Sequence, residues 1–134
     1  MKSVTQEESM GCGIACVAVA LNKSYQQTKS LFDNPEFAST RGYYCRELVK
    51  VLNKKLGNYN FLKVNEKNKN LLKQDGSIVL IERSKKYPAG HYLIKTKQGW
   101  MNPWINFPNI SPAKSGFQKT LPGNAQWIIY QDVK

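Results

Sequence analysis

Hydrophobic and polar positions follow two different rhythms along this chain. From Gly13 to Leu21 every side chain is small or apolar, with no polar face. A segment of that kind is a helix buried all round, not one lying on a surface. Ser24 is placed to cap a second helix over Tyr25–Phe32, stopped by Asp33-Asn34-Pro35. A third helix is predicted from Tyr44 to Leu56, where Cys45, Leu48, Val49, Leu52 and Leu56 recur at helical spacing and Gly57 follows the end. Beyond Gly57 the pattern becomes that of strands. Tyr59–Val64 alternates, and Ile78-Val79-Leu80-Ile81 is a short β-branched run after the Asp75-Gly76 turn. Tyr92-Leu93-Ile94 and Gly99–Trp104 flank Lys97-Gln98-Gly99 and predict a hairpin, and Trp127-Ile128-Ile129-Tyr130 predicts a last strand. The stretch from Asn106 to Asn124, with three prolines and two glycines, is predicted as loop. Helices followed by strands point to an α+β fold with an antiparallel sheet.

A length of 134 residues and a hydrophobic fraction of 41% fit one globular domain spanning residues 1–134. The longest aliphatic run, Ile14–Leu21, is eight residues, well short of the roughly 18 that span a bilayer. Lys2 is followed by polar residues and two glutamates, not by an apolar signal region. The expected location is therefore cytoplasmic, or that of an effector delivered without an amino-terminal signal peptide. Cys12, Cys16 and Cys45 are an odd number and make no disulfide framework. With a single histidine in the chain, Cys12-x3-Cys16 has nothing to complete a zinc site, and no metal or cofactor is expected. The net charge of +11 is uneven: residues 46–97 hold thirteen basic and four acidic side chains. Such an excess is either a solvated lysine-rich surface or an attraction to something acidic: nucleic acid, an anionic membrane or an acidic partner protein.

Chemistry enters at Cys12, which stands between Gly11 and Gly13 at the mouth of the most apolar segment. A thiol at a helix amino terminus meets unpaired N–H groups and the positive end of the helix dipole, both of which favour thiolate. The two glycines are expected to leave space beside it. The alternative is plain packing, because cysteine is among the most buried residue types. Cys16, one turn along, and Cys45, on the apolar face of the third helix, are expected to be core. The sole histidine, His91, opens an apolar strand after Tyr87-Pro88-Ala89-Gly90. An imidazole beside a thiol is expected to form an ion pair that keeps the sulfur deprotonated. Asn102, eleven residues on and across the proposed hairpin, could accept from the imidazole N–H and fix its tautomer. The Gln6 amide, with the Cys12 backbone N–H, could donate to an oxyanion. Tyr43, Trp100 and Trp104 are placed to lie near such a cleft, with at least two of the three expected to serve as packing.

The set Gln6, Gly11-Cys12-Gly13 with its small apolar helix, "AGHYLIK" around His91 and Asn102-Pro103 in "GWMNPW" resembles the double-glycine leader peptidases. These are papain-like cysteine peptidases, found at the amino terminus of bacteriocin-exporting transporters and as stand-alone domains. The resemblance runs through nearly the whole chain; His91 follows Cys12 by 79 positions, where the family has roughly eighty. It implies a papain-like fold with amino-terminal helices packed on an antiparallel sheet. It also implies a nucleophile at Cys12, a base at His91, an orienting group at Asn102 and an oxyanion donor at Gln6, acting on a peptide or protein through a thioester. Two positions depart from the family: Asn102 stands where aspartate is usual, and Gly11 replaces the aspartate before the nucleophile. Papain-type enzymes use asparagine as orienter, so the triad is preserved, without a charged partner for the imidazolium.

Two other functions share this fold. A small basic toxin could cut RNA such as tRNA, using His91 and Cys12 as acid and base, or act on a host protein. In that setting an acidic partner, RNA or an immunity or inhibitor protein, is expected. A non-catalytic binding module is the third reading.

Overall fold

The apolar run folds as helix α1, Cys12–Leu21, in which Ile14, Ala15, Cys16, Val17 and Ala18 have no exposure. The computed structural model describes residues 2–132. The helix ends where Asn22 turns left-handed (φ 55°) and returns its N–H to the carbonyls of Ala18 and Val19. Helix α2, Tyr25–Lys29, starts from a reciprocal cap: the Gln27 N–H donates to the Ser24 hydroxyl and the Ser24 N–H to the Gln27 side chain. It is shorter than the Tyr25–Phe32 predicted. The Ser30 hydroxyl donates back to the Gln27 carbonyl, and the chain then turns to bring the Phe32 ring within 4.7 Å of that of Tyr43. Helix α3, Cys45–Lys55, buries Cys45, Leu48, Val51 and Leu52. Val51 joins that face, the predicted Val49 packs half-buried against the same core, and Leu56 lies past the last turn, half exposed. Two short 3-10 turns, Pro35–Ser39 and Lys69–Lys73, carry no periodicity that predicts them.

Six strands form one antiparallel sheet: β1 Tyr59–Lys63, β2 Ile78–Ile81, β3 His91–Thr96, β4 Gly99–Asn102, β5 Gly116–Gln118 and β6 Ala125–Gln131, in the order β1-β6-β2-β3-β4-β5. The fold is α+β. The last strand lies between β1 and β2, so the two ends of the strand-forming half close on each other. Strand β5 falls inside the segment predicted as loop. Its three residues pair Met101 with Phe117 and Asn102 with Gly116, a tertiary contact with no alternation to announce it.

Both faces of the sheet are covered. Ile78, Tyr92, Ile94, Met101 and Ile129 point to the helices, where they join Ile14, Val17, Leu48 and Leu52. Val79, Ile81, Leu93, Trp100 and Ile128 point the other way and pack with Tyr87, Leu71, Leu72, Phe107 and Leu121. Two-sided burial explains why β2 reads as a continuous apolar run and not as an alternation. Among the described residues, no helix is long and apolar enough to cross a membrane.

Leu48 is fully buried between α3 and the start of α1; its Cδ1 lies 3.0 Å from where a Cβ on Gly13 would stand. Leu48→Ala is expected to lower the free energy of unfolding by about 2–5 kcal/mol, measured by urea denaturation.

Candidate active site

Cys12 is the first residue of α1, and its cap, Gly11, has no side chain to satisfy the free N–H groups of the first turn. Sequence led to the expectation that Gly11 and Gly13 leave space beside the thiol. They do not. A Cβ on Gly11 would stand 2.0 Å from the hydroxyl oxygen of Tyr25, and one on Gly13 would meet Leu48 at 3.0 Å and Tyr92 at 3.4 Å. The glycines let the start of the helix sit against its neighbours. Tyr25, itself buried, occupies the place that a side chain at position 11 would need.

The sulfur of Cys12 is half-buried and receives the backbone N–H groups of Tyr92, Gly13 and Cys12 itself. These favour thiolate, but burial outweighs them and pushes the thiol up to about 11. Burial also raises Cys16 and Cys45, both buried in the helix-side core as expected.

His91 opens β3 and Asn102 closes β4, so the hairpin sets them side by side. The Nε2 of His91 lies 2.7 Å from Oδ1 of Asn102. Four contacts fix which way the amide faces. Its Oδ1 also accepts from the Trp104 N–H at 3.0 Å, while Nδ2 donates to Oε1 of Gln118 at 2.8 Å and to the Tyr87 hydroxyl at 3.1 Å. Gln118 is oriented in turn by donating Nε2 to the Thr120 carbonyl at 3.0 Å. An amide oxygen only accepts, so the proton of the neutral imidazole is on Nε2 and the lone pair is on Nδ1. Among the described residues Nδ1 has no hydrogen-bond partner and is not sealed off. The Tyr87 ring lies parallel to the imidazole, 4.3 Å between centroids and 6° between planes. Phe107 packs on Tyr87 and Trp104, closing the outer side. Burial holds His91 down at about 4, and nearby Lys86 adds to this against the pull of Asn102.

At neutral pH the thiol and imidazole are therefore both uncharged. The ion pair expected from sequence is absent at rest, because the core withdraws solvent from both groups.

Cys12 and His91 line one cleft of about 620 Å³ with Met10, Tyr43, Tyr44, Tyr87, Arg83 and Trp104 among its walls. Of the three aromatic residues placed near the cleft, Tyr43 and Trp104 line it while remaining almost wholly buried; Trp100 packs in the opposite core. Gln6 is also buried, but its amide protons are taken: Nε2 donates to the carbonyls of Glu8 and Ser9 at 3.0 and 3.1 Å. Its Oε1 is buried with no partner, and the residue lines an adjoining hollow of about 320 Å³ that shares Ser9 and Trp104 with the cleft. As it stands, the Gln6 amide offers no free donor; an oxyanion role requires it to let go of those two carbonyls. The remaining donors at the helix start are backbone N–H groups, those of Cys12 and Gly13 being turned to the sulfur. Tyr87 and Gln118 are the positioning residues that the sequence reading missed. Tyr87 had one signal, its place in the same short segment as His91; Gln118 had none. Among the described residues no cluster of three or more His, Cys, Asp and Glu side chains is arranged to hold a metal ion.

No protein-family model matches the chain, and no curated protein matches it in sequence.

The depressed value of His91 makes stability depend on pH. The unfolded imidazole takes up its proton near 6.5 and the folded one near 4, so the unfolded state binds more protons in between. His91 thus contributes about 3 kcal/mol above pH 6.5 that is lost as pH falls toward 4. Denaturant titrations across this window are expected to show a steeper acid loss for the wild type than for His91→Gln.

Proposed function

We propose that this protein is a cysteine hydrolase of peptide or amide bonds, with the papain-like arrangement that its sequence resembles. The observation that carries the reading is the buried His91–Asn102 pair, oriented by Tyr87, Gln118 and Trp104, opening on the same cleft as a cysteine at a bare helix start.

In this reading the Cys12 sulfur attacks the acyl carbon while its proton passes to Nδ1 of His91. The carbonyl oxygen becomes an oxyanion that takes the N–H of Cys12. The imidazolium returns the proton to the leaving nitrogen, the C–N bond breaks and a thioester remains. Water then loses a proton to the same Nδ1, attacks the thioester and releases acid and thiol. Asn102 holds the ring by its Nε2–H throughout. Because that amide is neutral, the imidazolium is balanced only by the negative charge that forms across from it, which ties proton transfer to attack.

The lysine excess supports a second reading, RNA cleavage with Cys12 and His91 as proton carriers. It is disfavoured by the cleft wall, whose charged lining residues among those described are Arg41 and Arg83 alone, too few for a series of phosphate contacts.

Wild type and Cys12→Ala, each incubated with a peptide library and with total tRNA, separate these. Peptide cleavage that disappears in Cys12→Ala is the expected result; RNA cleavage with intact peptides would overturn the proposal. The kcat/KM profile is expected to hold a plateau through neutral pH, with its acid limb near 4 and not near 6.5. Asn102→Ala should reduce kcat/KM on the order of 10²-fold, and Asn102→Asp should move the acid limb upward by placing a carboxylate beside the imidazole.

A further inference from the structure

We infer that the cleft accepts peptide segments bearing an acidic side chain, and that Arg83 reads the carboxylate. The inference rests on the proposed hydrolase reading and names its substrate class.

Among the described residues, the charged ones lining the cleft are Arg41 and Arg83, and no aspartate or glutamate lines it. Arg41 is already answered: both its terminal nitrogens reach Glu47, at 3.0 and 2.9 Å, and its guanidinium is held over the rings of Phe37 and Tyr44. Its charge is largely cancelled within the wall. Arg83 is exposed, and among the described residues it has no hydrogen-bonding or ion-pair partner. The nearest carboxylate along the chain, Glu82, is turned to the Asn124 amide at 3.0 Å. Glu7 and Glu8 line the adjoining hollow and are engaged by Gln26 and by Lys29 and Tyr25.

A second cation stands beside the Tyr87–His91 stack. Lys86 sits with its ammonium 5.6 Å from the centroid of the Tyr87 ring that stacks on His91, and its charge is felt at the imidazole. The reacting groups contribute nothing to balance these cations, since the thiol, the imidazole and the Asn102 amide are all neutral at rest. A family-type aspartate at position 102 would have supplied a negative charge here; asparagine leaves the wall with an uncompensated positive field. Met10, Leu80, Pro88 and Phe107 make much of the remaining lining apolar. One carboxylate on an otherwise apolar segment fits that surface. A nucleic acid backbone, which binds through a series of phosphate contacts, would need more cations than this wall presents.

Peptidyl vinyl sulfones test this without knowledge of the natural substrate. The Cys12 sulfur adds to the alkene carbon β to the sulfone, the π bond breaks, and the thiol proton ends on the carbon next to the sulfone. A set carrying Glu, Gln or Lys at each of three positions is reacted with the full chain, and labelling of Cys12 is followed by mass spectrometry. At one position at least, the Glu probe is expected to react about tenfold faster than the Gln probe, with Lys slowest. The Glu/Gln ratio should fall toward one in Arg83→Gln, survive in Arg83→Lys, invert to favour Lys in Arg83→Glu, and shrink at high salt. Equal rates for Glu, Gln and Lys probes at every position, or a ratio unaltered by Arg83→Gln, would overturn the inference while leaving the hydrolase reading in place. Protection of Cys12 from every probe by total tRNA would overturn it in favour of RNA. If no probe labels Cys12 ahead of Cys16 and Cys45, the hydrolase reading itself fails.

Discussion

The side-chain amide of Asn102 is almost completely withdrawn from water, and its four hydrogen bonds tie together side chains and backbone from four parts of the fold. They join the first residue of β3, the turn after β4, the edge strand β5 and the segment before His91. Each lost partner would leave a buried polar group unsatisfied, at about 1–3 kcal/mol. The network therefore has little tolerance for partial assembly, and the three-residue strand β5 makes sense in that light. Too short to add much to the sheet, it delivers Gln118 to the amide, and Gln118 is fixed in turn by the chain just beyond it.

The behaviour of Cys12 follows from a contest between two environments. A helix start and three backbone N–H groups favour the anion, and helix-terminal effects contribute about 0.3–1 kcal/mol, reaching ~2 in partly buried settings. The rise from 9.0 to about 11 shows desolvation ahead by about 3 kcal/mol net. The same core that fixes the thiol in place, with Tyr25 filling the space at Gly11 and Leu48 that at Gly13, takes away the water a thiolate needs. Positional precision and anionic character are opposed here, and packing sets the balance.

How much of this the sequence revealed depends on the range of the contact involved. Cys12 at a helix start, His91 at a strand start and Asn102 across a hairpin were legible because each is a local pattern: an apolar run, a β-branched run, a two-arm repeat around Lys97-Gln98-Gly99. The α+β class came from the same rhythms. Strand β5 was not legible, because Gly116-Phe117-Gln118 is ordered by β4 and not by its own residues. The hydrogen bonds that occupy Gln6 come from the fold of the segment ahead of α1, and the neutral thiol and imidazole come from side chains distant in sequence. Sequence marked Gln6 and Cys12 by type and spacing, and neither property tells whether a proton is already engaged or a group is dry. The charge excess of residues 46–97 was visible as a sum; that one of its members, Arg83, lies on the cleft wall with no partner among the described residues required the fold.

A sulfur that keeps its proton at rest is also a poor target for oxidants and soft metal ions, which react with thiolates. If Cys12 acts as proposed, the resting site is latent: peroxide or a stray disulfide meets it only as a half-buried thiol. On the proposed reading, the chemistry becomes available when an acyl group enters and supplies a place for negative charge to develop. On that reading, the packing of Tyr25, Leu48 and Tyr92 around the first turn of a helix shields the sulfur from oxidation until substrate arrives.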